Sequence, residues 1–208
     1  MRIQREQVVR AAWTLADEIG VEGLTMRSLA QALSIQAPSL YWHFPSKQAL
    51  LDTMADALLQ DVGLASDPAA PWDAVVKGVA GELRRAFLGH RDGARVYAGT
   101  FVVSENTLRV SDLLIGALGR AGLEPREAGW AAFSVLDYVL GFTIEEQAFG
   151  TQGGEGPSVA DRIRGLASGR FPHVTAAVDA LTDPDFDARF AFGLDLFVAG
   201  LRSRQAGP

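Results

Sequence analysis

The stretch from residue 25 to residue 47, TMRSLAQALSIQAPSLYWHFPSK, constrains the fold more than any other part of the chain. Thr25 is a good N-cap for a first short helix, because its hydroxyl can accept a hydrogen bond from a free backbone N–H of the first turn. Residues 34–37 indicate a tight turn, and Pro38 suits the first turn of a second helix, where its missing N–H is no loss. Pro45 ends that second helix. Two short helices joined by such a turn predict a helix-turn-helix, whose second helix enters the major groove of DNA.

The second of these helices carries an uncommon set of side chains. Ser39, Tyr41, Trp42 and His43 follow one another closely. A buried helix would not need this polar content, and a fully solvated helix would not carry two bulky aromatic rings. Hydroxyl and similar polar groups suit phosphate oxygens, which position a protein on the duplex. Because helix-turn-helix geometry alone is common in helical proteins, it is this composition that favours DNA binding over simple packing.

Residues in and around this stretch match a known pattern, and they are Gly20, Gly23, Leu24, Thr25, Arg27, Leu29, Ala30, Leu33, Pro38, Leu40, Tyr41, Trp42, His43, Lys47, Leu50 and Leu51. In these positions, and above all in the LYWH run, the chain resembles the TetR family of bacterial repressors. A second matching segment is HRDGARVYAGT, residues 90–100, and a weaker one is VLGFTIEEQ, residues 139–147. The resemblance covers most of the chain, strongly at the N-terminus and in patches after Thr100.

The composition excludes several other classes of protein. The chain has no cysteine, which excludes disulfides and thiolate metal sites and fits a reducing cytoplasm. It has no apolar run of about 18 residues that would span a membrane, and the N-terminus MRIQREQVV lacks the apolar core of a signal peptide. We therefore expect a cytoplasmic protein that does not enter the membrane.

The net charge of −6 is unevenly distributed along the chain. Residues 1–50 carry five basic and four acidic side chains, whereas the remainder carries 14 basic and 21 acidic ones. A nearly neutral head on an acidic body can still bind DNA if its few cations face phosphates. The affinity should then be modest and sensitive to salt.

Hydrophobic periodicity predicts helices along the whole chain and no strand of any length. The predicted helices span residues 5–19, 25–33, 38–44, 46–62, 72–90, 92–99, 104–121, 125–149, 158–167, 173–181 and 184–203. Gly20 is placed to end the first helix in the left-handed conformation, residues 63–71 indicate a linker, and residues 150–157 indicate a loop. The expected fold is all-α. An N-terminal three-helix bundle with the helix-turn-helix, residues 1–46, is linked by a helix to a larger ligand-binding and dimerisation domain, residues 47–208.

The last predicted helix is apolar on most of its circumference. Its apolar residues are Phe190, Phe192, Leu194, Leu196, Phe197, Val198 and Leu201. Such a helix is buried on more than one side. We predict a four-helix interface between two chains, built from this helix and the 125–149 helix, which is also the usual dimer of the resembled family. A single deep core within one chain is the alternative.

The resemblance also implies where an effector binds. Family members that bind a magnesium–tetracycline chelate do so through a histidine at the position of Tyr97 and a carboxylate at that of Glu145. Their other drug-contacting positions match residues that cannot make the required hydrogen bonds or ring contacts, namely Gly63, Val79, Leu83 and Leu113, whereas Thr100 is kept. A glutamate without its histidine is a poor magnesium site, so we expect no metal and no cofactor. The predicted effector is more apolar than tetracycline–magnesium, and its candidate contacts are Val79, Leu83, Tyr97, Thr100, Leu113, Phe133 and Glu145.

Together these patterns predict a ligand-responsive repressor that binds a palindromic operator as a homodimer and is released by a small effector. Two recognition helices about 34–36 Å apart would read successive turns of the major groove. Arg27 is expected to contact guanine and Gln36 a base edge, while Ala37 and Pro38 offer apolar contact to a thymine methyl. The candidate DNA-binding residues are Thr25, Arg27, Gln36, Ala37, Pro38, Ser39, Tyr41, Trp42, His43 and Lys47.

The sequence gives less support to other functions. An enzyme is not expected, because the chain has no Gly-x-Ser-x-Gly elbow, no metal-binding histidine pair and no nucleotide-binding loop. A protein that only sequesters a small molecule would not need the intact LYWH segment and Lys47. An activator of the same family stays open. His90 and His173 have no partner at helical spacing, so they are expected at the surface.

Overall fold

A computed structural model of the chain describes residues 3–67, 69–150 and 158–205. Across these residues the protein consists of twelve α-helices without a strand. The helices are α1 (Arg5–Gly23), α2 (Met26–Ala32), α3 (Ala37–Tyr41), α4 (Lys47–Leu58), α5 (Trp72–Leu88), α6 (Gly93–Ala98), α7 (Glu105–Arg120), α8 (Pro125–Gly150), α9 (Val159–Ala167), α10 (Pro172–Ala176), α11 (Val178–Leu181) and α12 (Phe186–Gln205). The all-α prediction is therefore confirmed. Residues 151–157 of the predicted loop lie outside the described residues.

Helices α1 to α3 form a small head around an apolar core. The fully buried side chains of this core are Val8, Ala12, Leu24, Leu29, Leu40 and Phe44. Thr25 caps α2 as predicted, since its hydroxyl accepts a hydrogen bond from the backbone N–H of Ser28 at 3.0 Å. The recognition helix α3 is shorter than the predicted 38–44 segment and begins one residue earlier.

A Schellman turn joins α2 to α3. The backbone N–H of Ile35 donates to the carbonyl of Ala30, and that of Ser34 donates to Gln31, both at 3.0 Å. Ser34 adopts a left-handed φ of 54°, the conformation that this helix ending requires. The turn closes the carbonyl end of α2 and thereby fixes the direction in which α3 leaves it.

Gly20 interrupts α1 without ending it. Its φ is positive, as predicted, but its ψ of 156° is extended rather than left-handed helical, and one further helical turn continues to Gly23. Few residues other than glycine tolerate this backbone conformation. The interruption leaves the backbone N–H of Val21 without a partner inside the helix, and Asp92 from the rest of the chain accepts it at 2.9 Å.

Helix α4 connects the head to the remaining helices, which we call the body. Leu50 and Met54 in its first half are fully buried, and α4 contacts both α1 and α6. The helix ends at Leu58, earlier than the predicted Val62, and a series of turns follows. Arg109 of α7 holds this end, because its guanidinium donates to the carbonyl of Leu59 at 2.7 Å.

The body is organised around α5, α7 and α8, which pack against one another along their length. Its buried apolar side chains include Val76, Val79, Leu83, Phe87, Leu114, Leu118, Val135 and Val139. The short helices α9, α10 and α11 contact one another, and the predicted single helix at 173–181 is in fact divided between α10 and α11. Among the described helices, none combines the length and apolar composition needed to cross a membrane.

Helix α12 is fastened to the body by one apolar stripe and several ion pairs. The stripe consists of Phe190, Leu194, Val198 and Leu201. Asp187 near its start accepts from Arg84 of α5 at 2.6 Å, and Arg204 near its end donates to Glu127 of α8 at 2.6 Å. The opposite side of α12 remains exposed, including Phe192 and Leu196.

Candidate nucleic-acid interface and effector domain

The recognition helix α3 divides its apolar side chains between two sides. Leu40 and Phe44 on or just after the helix point into the head and are fully buried. Tyr41 is 51% exposed and Trp42 is 90% exposed. An aromatic ring so open to water contributes little to the stability of the head. Its position therefore indicates contact with something outside the chain.

Several polar side chains beside these rings have free hydrogen-bonding groups. Arg27, Gln36 and Ser39 are exposed, and within the described part of the chain their side chains make no hydrogen bond or ion pair. They lie on α2, at the N-cap of α3 and on α3 itself. Pro38 is exposed beside them, whereas Ala37 and His43 are half-buried. The structure thus brings together most of the predicted DNA-binding residues on one face of the head.

Two predicted DNA-binding residues have partners inside the protein. The hydroxyl of Thr25 caps α2. The ammonium of half-buried Lys47 donates to the carbonyl of Val21 at 3.2 Å, which ties the start of α4 to the end of α1. Both residues support the motif from within, and direct contact with DNA stays a prediction for them.

The predicted effector contacts separate into an inner and an outer group. Val79 and Leu83 are fully buried in the body, and the ring of Tyr97 packs against Phe87 with centroids 5.0 Å apart. Burial raises the pKa of the Tyr97 hydroxyl above its ordinary value, with the nearby charge of Asp56 as a second cause. Thr100 donates its hydroxyl to the carbonyl of Tyr97 at 2.8 Å.

Leu113 belongs to the inner group because it packs against the turn that follows α4. A β-carbon on Gly63 would lie 2.5 Å from Leu113 Cδ1, and Gly63 has a φ of +78°. Only glycine fits both restrictions. The match of Gly63 to a drug-contacting position therefore coincides with a structural need for glycine at this point.

Phe133 and Glu145 form the outer group on α8. Phe133 is 58% exposed and Glu145 is exposed, so within one chain the structure does not place them with Tyr97 in the interior. The neighbouring carboxylate of Glu146 turns inward and accepts two hydrogen bonds from Arg84, at 2.8 and 2.7 Å. This bidentate pair raises the pKa of Arg84, and it holds α8 to α5.

A polar cluster joins α4 to the start of α7. The carboxylate of Asp56 on α4 accepts from the Ser104 hydroxyl, which also caps α7, and from Asn106 Nδ2 at 3.0 Å. Arg109, one turn further along α7, donates to Asn106 Oδ1 at 3.0 Å and to carbonyls after α4. Sequence reasoning missed this cluster, because its members are far apart in the chain and match no motif.

His90 is not the isolated surface residue that the sequence suggested. Its ring stacks on buried Trp13 of α1, with centroids 4.0 Å apart and planes 14° from parallel. Its Nδ1 lies 2.9 Å from a carboxylate oxygen of Asp17. The sequence-based interpretation was wrong because it searched only for partners at helical spacing. His173, by contrast, is exposed as expected.

A cavity of about 750 Å³ lies where the head meets the body. Its walls come from α1, the end of α4 and α5, and they include Trp13, Asp61 and Arg85. The predicted pocket, among the inner faces of α5 to α8, is a different region. No group of three or more histidine, aspartate or glutamate side chains in residues 3–67, 69–150 and 158–205 is arranged to hold a metal ion.

Comparisons with known proteins place these features in a family. Residues 8–54 match the family model described as bacterial regulatory proteins, tetR family, and residues 64–205 match the model described as tetracyclin repressor-like, C-terminal domain. The chain is 36% identical to the tetracycline repressor protein class A from transposon 1721 of Escherichia coli, over 98% of this chain and 93% of the relative.

Two solved structures show the same fold. A possible TetR family transcriptional regulator from Streptomyces coelicolor A3(2) is 42% identical, with a TM-score of 0.87 over 96% of this chain and 99% of that one. The Streptomyces coelicolor TetR family protein ActR in complex with actinorhodin is 29% identical, with a TM-score of 0.86 over the full length of both chains.

Proposed function

The chain belongs to the TetR family of bacterial transcriptional regulators, and on this premise we propose that it is a homodimeric repressor released from a palindromic operator by a small, rather apolar effector. The family consists of DNA-binding regulators that respond to small molecules and not of enzymes. In this proposal residues 1–46 read the operator and residues 47–208 bind the effector and the second subunit. The protein acts in the cytoplasm, where its operator lies.

The exposed surface of α3 is the observation that carries the DNA-binding proposal. Trp42 and Tyr41 are exposed without a partner in the chain, and Arg27, Gln36 and Ser39 beside them have free polar groups. Tyrosine, serine and arginine groups of this kind fix a protein on phosphates and read base edges in the major groove. We assign base contacts to Arg27 and Gln36 and mainly phosphate contacts to the rest.

The dimer proposal rests on the outer faces of α8 and α12. Trp130, Phe133, Phe192 and Leu196 are each about 60% exposed, and isolated chains rarely expose several large apolar side chains on two adjacent long helices. A second copy would cover them by forming a four-helix interface. Two heads held by such an interface would meet two half-sites of a palindrome.

We propose an effector other than magnesium–tetracycline. One relative of this chain, TetR from Acinetobacter baumannii AYE, has been crystallised with minocycline, and the curated relatives include several tetracycline repressors. In this chain Tyr97 replaces the histidine of the chelate site, and the neighbouring walls are the apolar Val79 and Leu83. These side chains favour an apolar molecule with few polar anchors, which Tyr97 and Thr100 supply.

The response to the effector is assigned to the cluster at the end of α4. An effector that displaces Tyr97 or Thr100 acts on α6, which packs against α4. Asp56 and the Arg109 contacts hold the end of α4 to α7, so a shift between α6 and α7 tilts α4. Since the operator fixes the spacing of the two heads, a small tilt weakens both half-site contacts.

An electrophoretic mobility shift with the DNA upstream of the chain's own gene tests the proposal. The protein is expected to retard this DNA, with competition by the same DNA but not by an unrelated duplex. The double variant R27A/W42A is the matched control, because it removes two exposed side chains without touching the core. Equal retardation of specific and unrelated DNA by both proteins would contradict the operator proposal.

Tetracycline fluorescence tests the effector proposal separately. The protein is titrated into tetracycline with and without magnesium, and we expect no saturable, magnesium-dependent change at micromolar protein. If such a change occurred, the Tyr97 substitution would not exclude the chelate, and the apolar effector would have to be abandoned. The operator proposal would be unaffected by that outcome.

A further inference from the structure

The turn between α5 and α6, residues 89–92, makes a dense set of contacts with α1 of the head. Besides the stack of His90 on Trp13, the carboxylate of Asp17 accepts the backbone N–H of Arg91 at 2.9 Å. The guanidinium of Arg91 in turn donates to the carbonyl of Glu18 at 3.2 Å. Backbone and side-chain groups of the turn are therefore both bound to one stretch of α1.

The next residues along the chain extend this junction to the interrupted end of α1. The carboxylate of Asp92 accepts the backbone N–H of Val21 at 2.9 Å, the group that Gly20 leaves free. Arg95 pairs with Glu22 at 2.7 Å, although both partners are well exposed and the pair contributes little. The Asp92 contact is half-buried, so it fixes position more strongly than the exposed pair does.

Gln147 of α8 holds the same turn from the opposite side. Its Nε2 donates to the carbonyl of His90 at 2.7 Å and to that of Phe87 at 3.0 Å. The Gln147 Oε1 is buried and has no hydrogen-bond partner. A buried polar atom without a partner has an unfavourable free energy, so the side chain is retained for its two donated bonds.

The turn has no room to move independently of α8. The backbone N–H of Gly93 also donates to the His90 carbonyl, at 3.0 Å. A β-carbon on Gly93 would lie 2.2 Å from the Phe87 carbonyl oxygen, so the chain closes tightly on itself here. A displacement of Gln147 would therefore be passed to His90 and Asp92, and through them to α1.

We infer that Gln147 is a positioning residue that sets the orientation of the head relative to the body through the 89–92 turn, as a second connection beside α4. A head attached by α4 alone can pivot about that helix. A second attachment on α1, at a different place on the head, removes this freedom. This connection links the head directly to α8, the helix whose outer face is exposed, and it does not depend on the nature of effector or operator.

The test measures the distance between head and body in the full-length chain. Because the chain has no cysteine, Q31C on α2 and R120C on α7, both at exposed positions, give two unique sites for nitroxide labels. The labelled chain is diluted with an excess of the cysteine-free protein, so that a dimer contains one labelled copy at most. Pulsed dipolar spectroscopy then gives the distribution of head–body distances.

Gln147→Met is the decisive variant, since it keeps the length of the side chain and removes both donated hydrogen bonds. We expect a broader or shifted distance distribution. Asp17→Ala, which acts at the other end of the same connection and leaves α8 untouched, should produce the same change. If both variants gave the parent distribution, the inference would be overturned, whatever happened to their stability.

Thr143→Val is the matched control for general loosening of α8. Thr143 is fully buried one turn before Gln147, but its hydroxyl donates only to Val139 of its own helix, at 2.7 Å. It should keep the parent distribution even if its melting temperature falls. Equal broadening in Thr143→Val and Gln147→Met would reject a specific role for Gln147. If Gln147→Met failed to fold by circular dichroism, Asp17→Ala would decide, since an unchanged distribution there rejects the connection.

Discussion

The protein exposes large aromatic side chains in two regions that differ in their surroundings. On the head, Tyr41 and Trp42 are flanked by Arg27, Gln36 and Ser39, whose polar groups are free. On α12, Phe192 and Leu196 lie beside the exposed small residues Ala188, Ala199 and Gly200. Both surfaces would be unfavourable if water were their only neighbour.

The difference indicates different partners. Aromatic rings among hydrogen-bonding groups suit a partner with a dense polar surface, such as the phosphate backbone and base edges of DNA. Large apolar side chains beside small ones suit close packing of another helix, and an apolar interface core with few charges is typical of homodimers. The head is therefore built for a charged partner and the outer face of α8 and α12 for a second copy.

The largest effect should follow from a charge in the second surface. Phe192→Asp places a carboxylate where a helix of the partner would pack, and burying it unpaired is strongly unfavourable. We expect a monomer by light scattering and a fall in operator affinity of about 10²–10⁴-fold, because the two half-site contacts are no longer linked. Leu108→Asp on α7, at a residue of similar exposure (60% against 65%), should stay dimeric. A dimeric Phe192→Asp would remove the distinction between the two surfaces.

A pair of substitutions on α3 separates the buried side of the head from its exposed side. Leu40 is fully buried, so Leu40→Ala should lower the free energy of unfolding by about 2–5 kcal/mol. Trp42→Ala should change it by less than about 0.5 kcal/mol, as is usual for exposed sites, and should still weaken DNA binding. Urea unfolding followed by circular dichroism measures the first quantity. A large loss of stability in Trp42→Ala would mean that the ring serves the fold and not a partner.

Within the head, Arg27 and Lys47 are expected to act differently on DNA. Arg27→Ala should lose about 1–3 kcal/mol of operator binding and relax the preference at one base position, whereas Lys47→Ala should weaken all sequences alike. The bond from Lys47 to the Val21 carbonyl gives that substitution an additional structural effect. Competition gel shifts with single-base operator variants measure both. Unchanged operator affinity in Arg27→Ala would exclude a base contact there.

The two surfaces were predictable from the sequence to different degrees. The head follows local rules: a capping threonine, helical spacing of Leu29 and Leu40, and prolines at 38 and 45 fix where the helices start and stop. The interior of the body does not, because Phe133 and Leu83 look alike in sequence and only tertiary packing puts one outside and one inside. The junctions were missed altogether. Asp56 with Asn106, and Trp13 with His90, are long-range pairs that no periodicity reveals.

Tyr97 supplies the smallest effect and a buried counterpart to the exposed rings of the head. Its pKa is raised above the usual value of about 10, mainly by burial, so the unfolded chain loses this proton at a lower pH than the folded chain. The resulting stabilisation is complete below about pH 10 and is lost as pH rises through the higher pKa of the folded state. Tyr97→Phe has no proton to lose, so its free energy of unfolding should fall less than that of the parent between pH 9 and pH 11. The difference should be a fraction of the roughly 1.4 kcal/mol that one pKa unit represents, because Tyr138, whose pKa burial also raises, keeps its share of the dependence. Urea unfolding at the two pH values measures it, and parallel pH curves for parent and variant would show that the Tyr97 hydroxyl is as well solvated in the folded protein as in the unfolded chain.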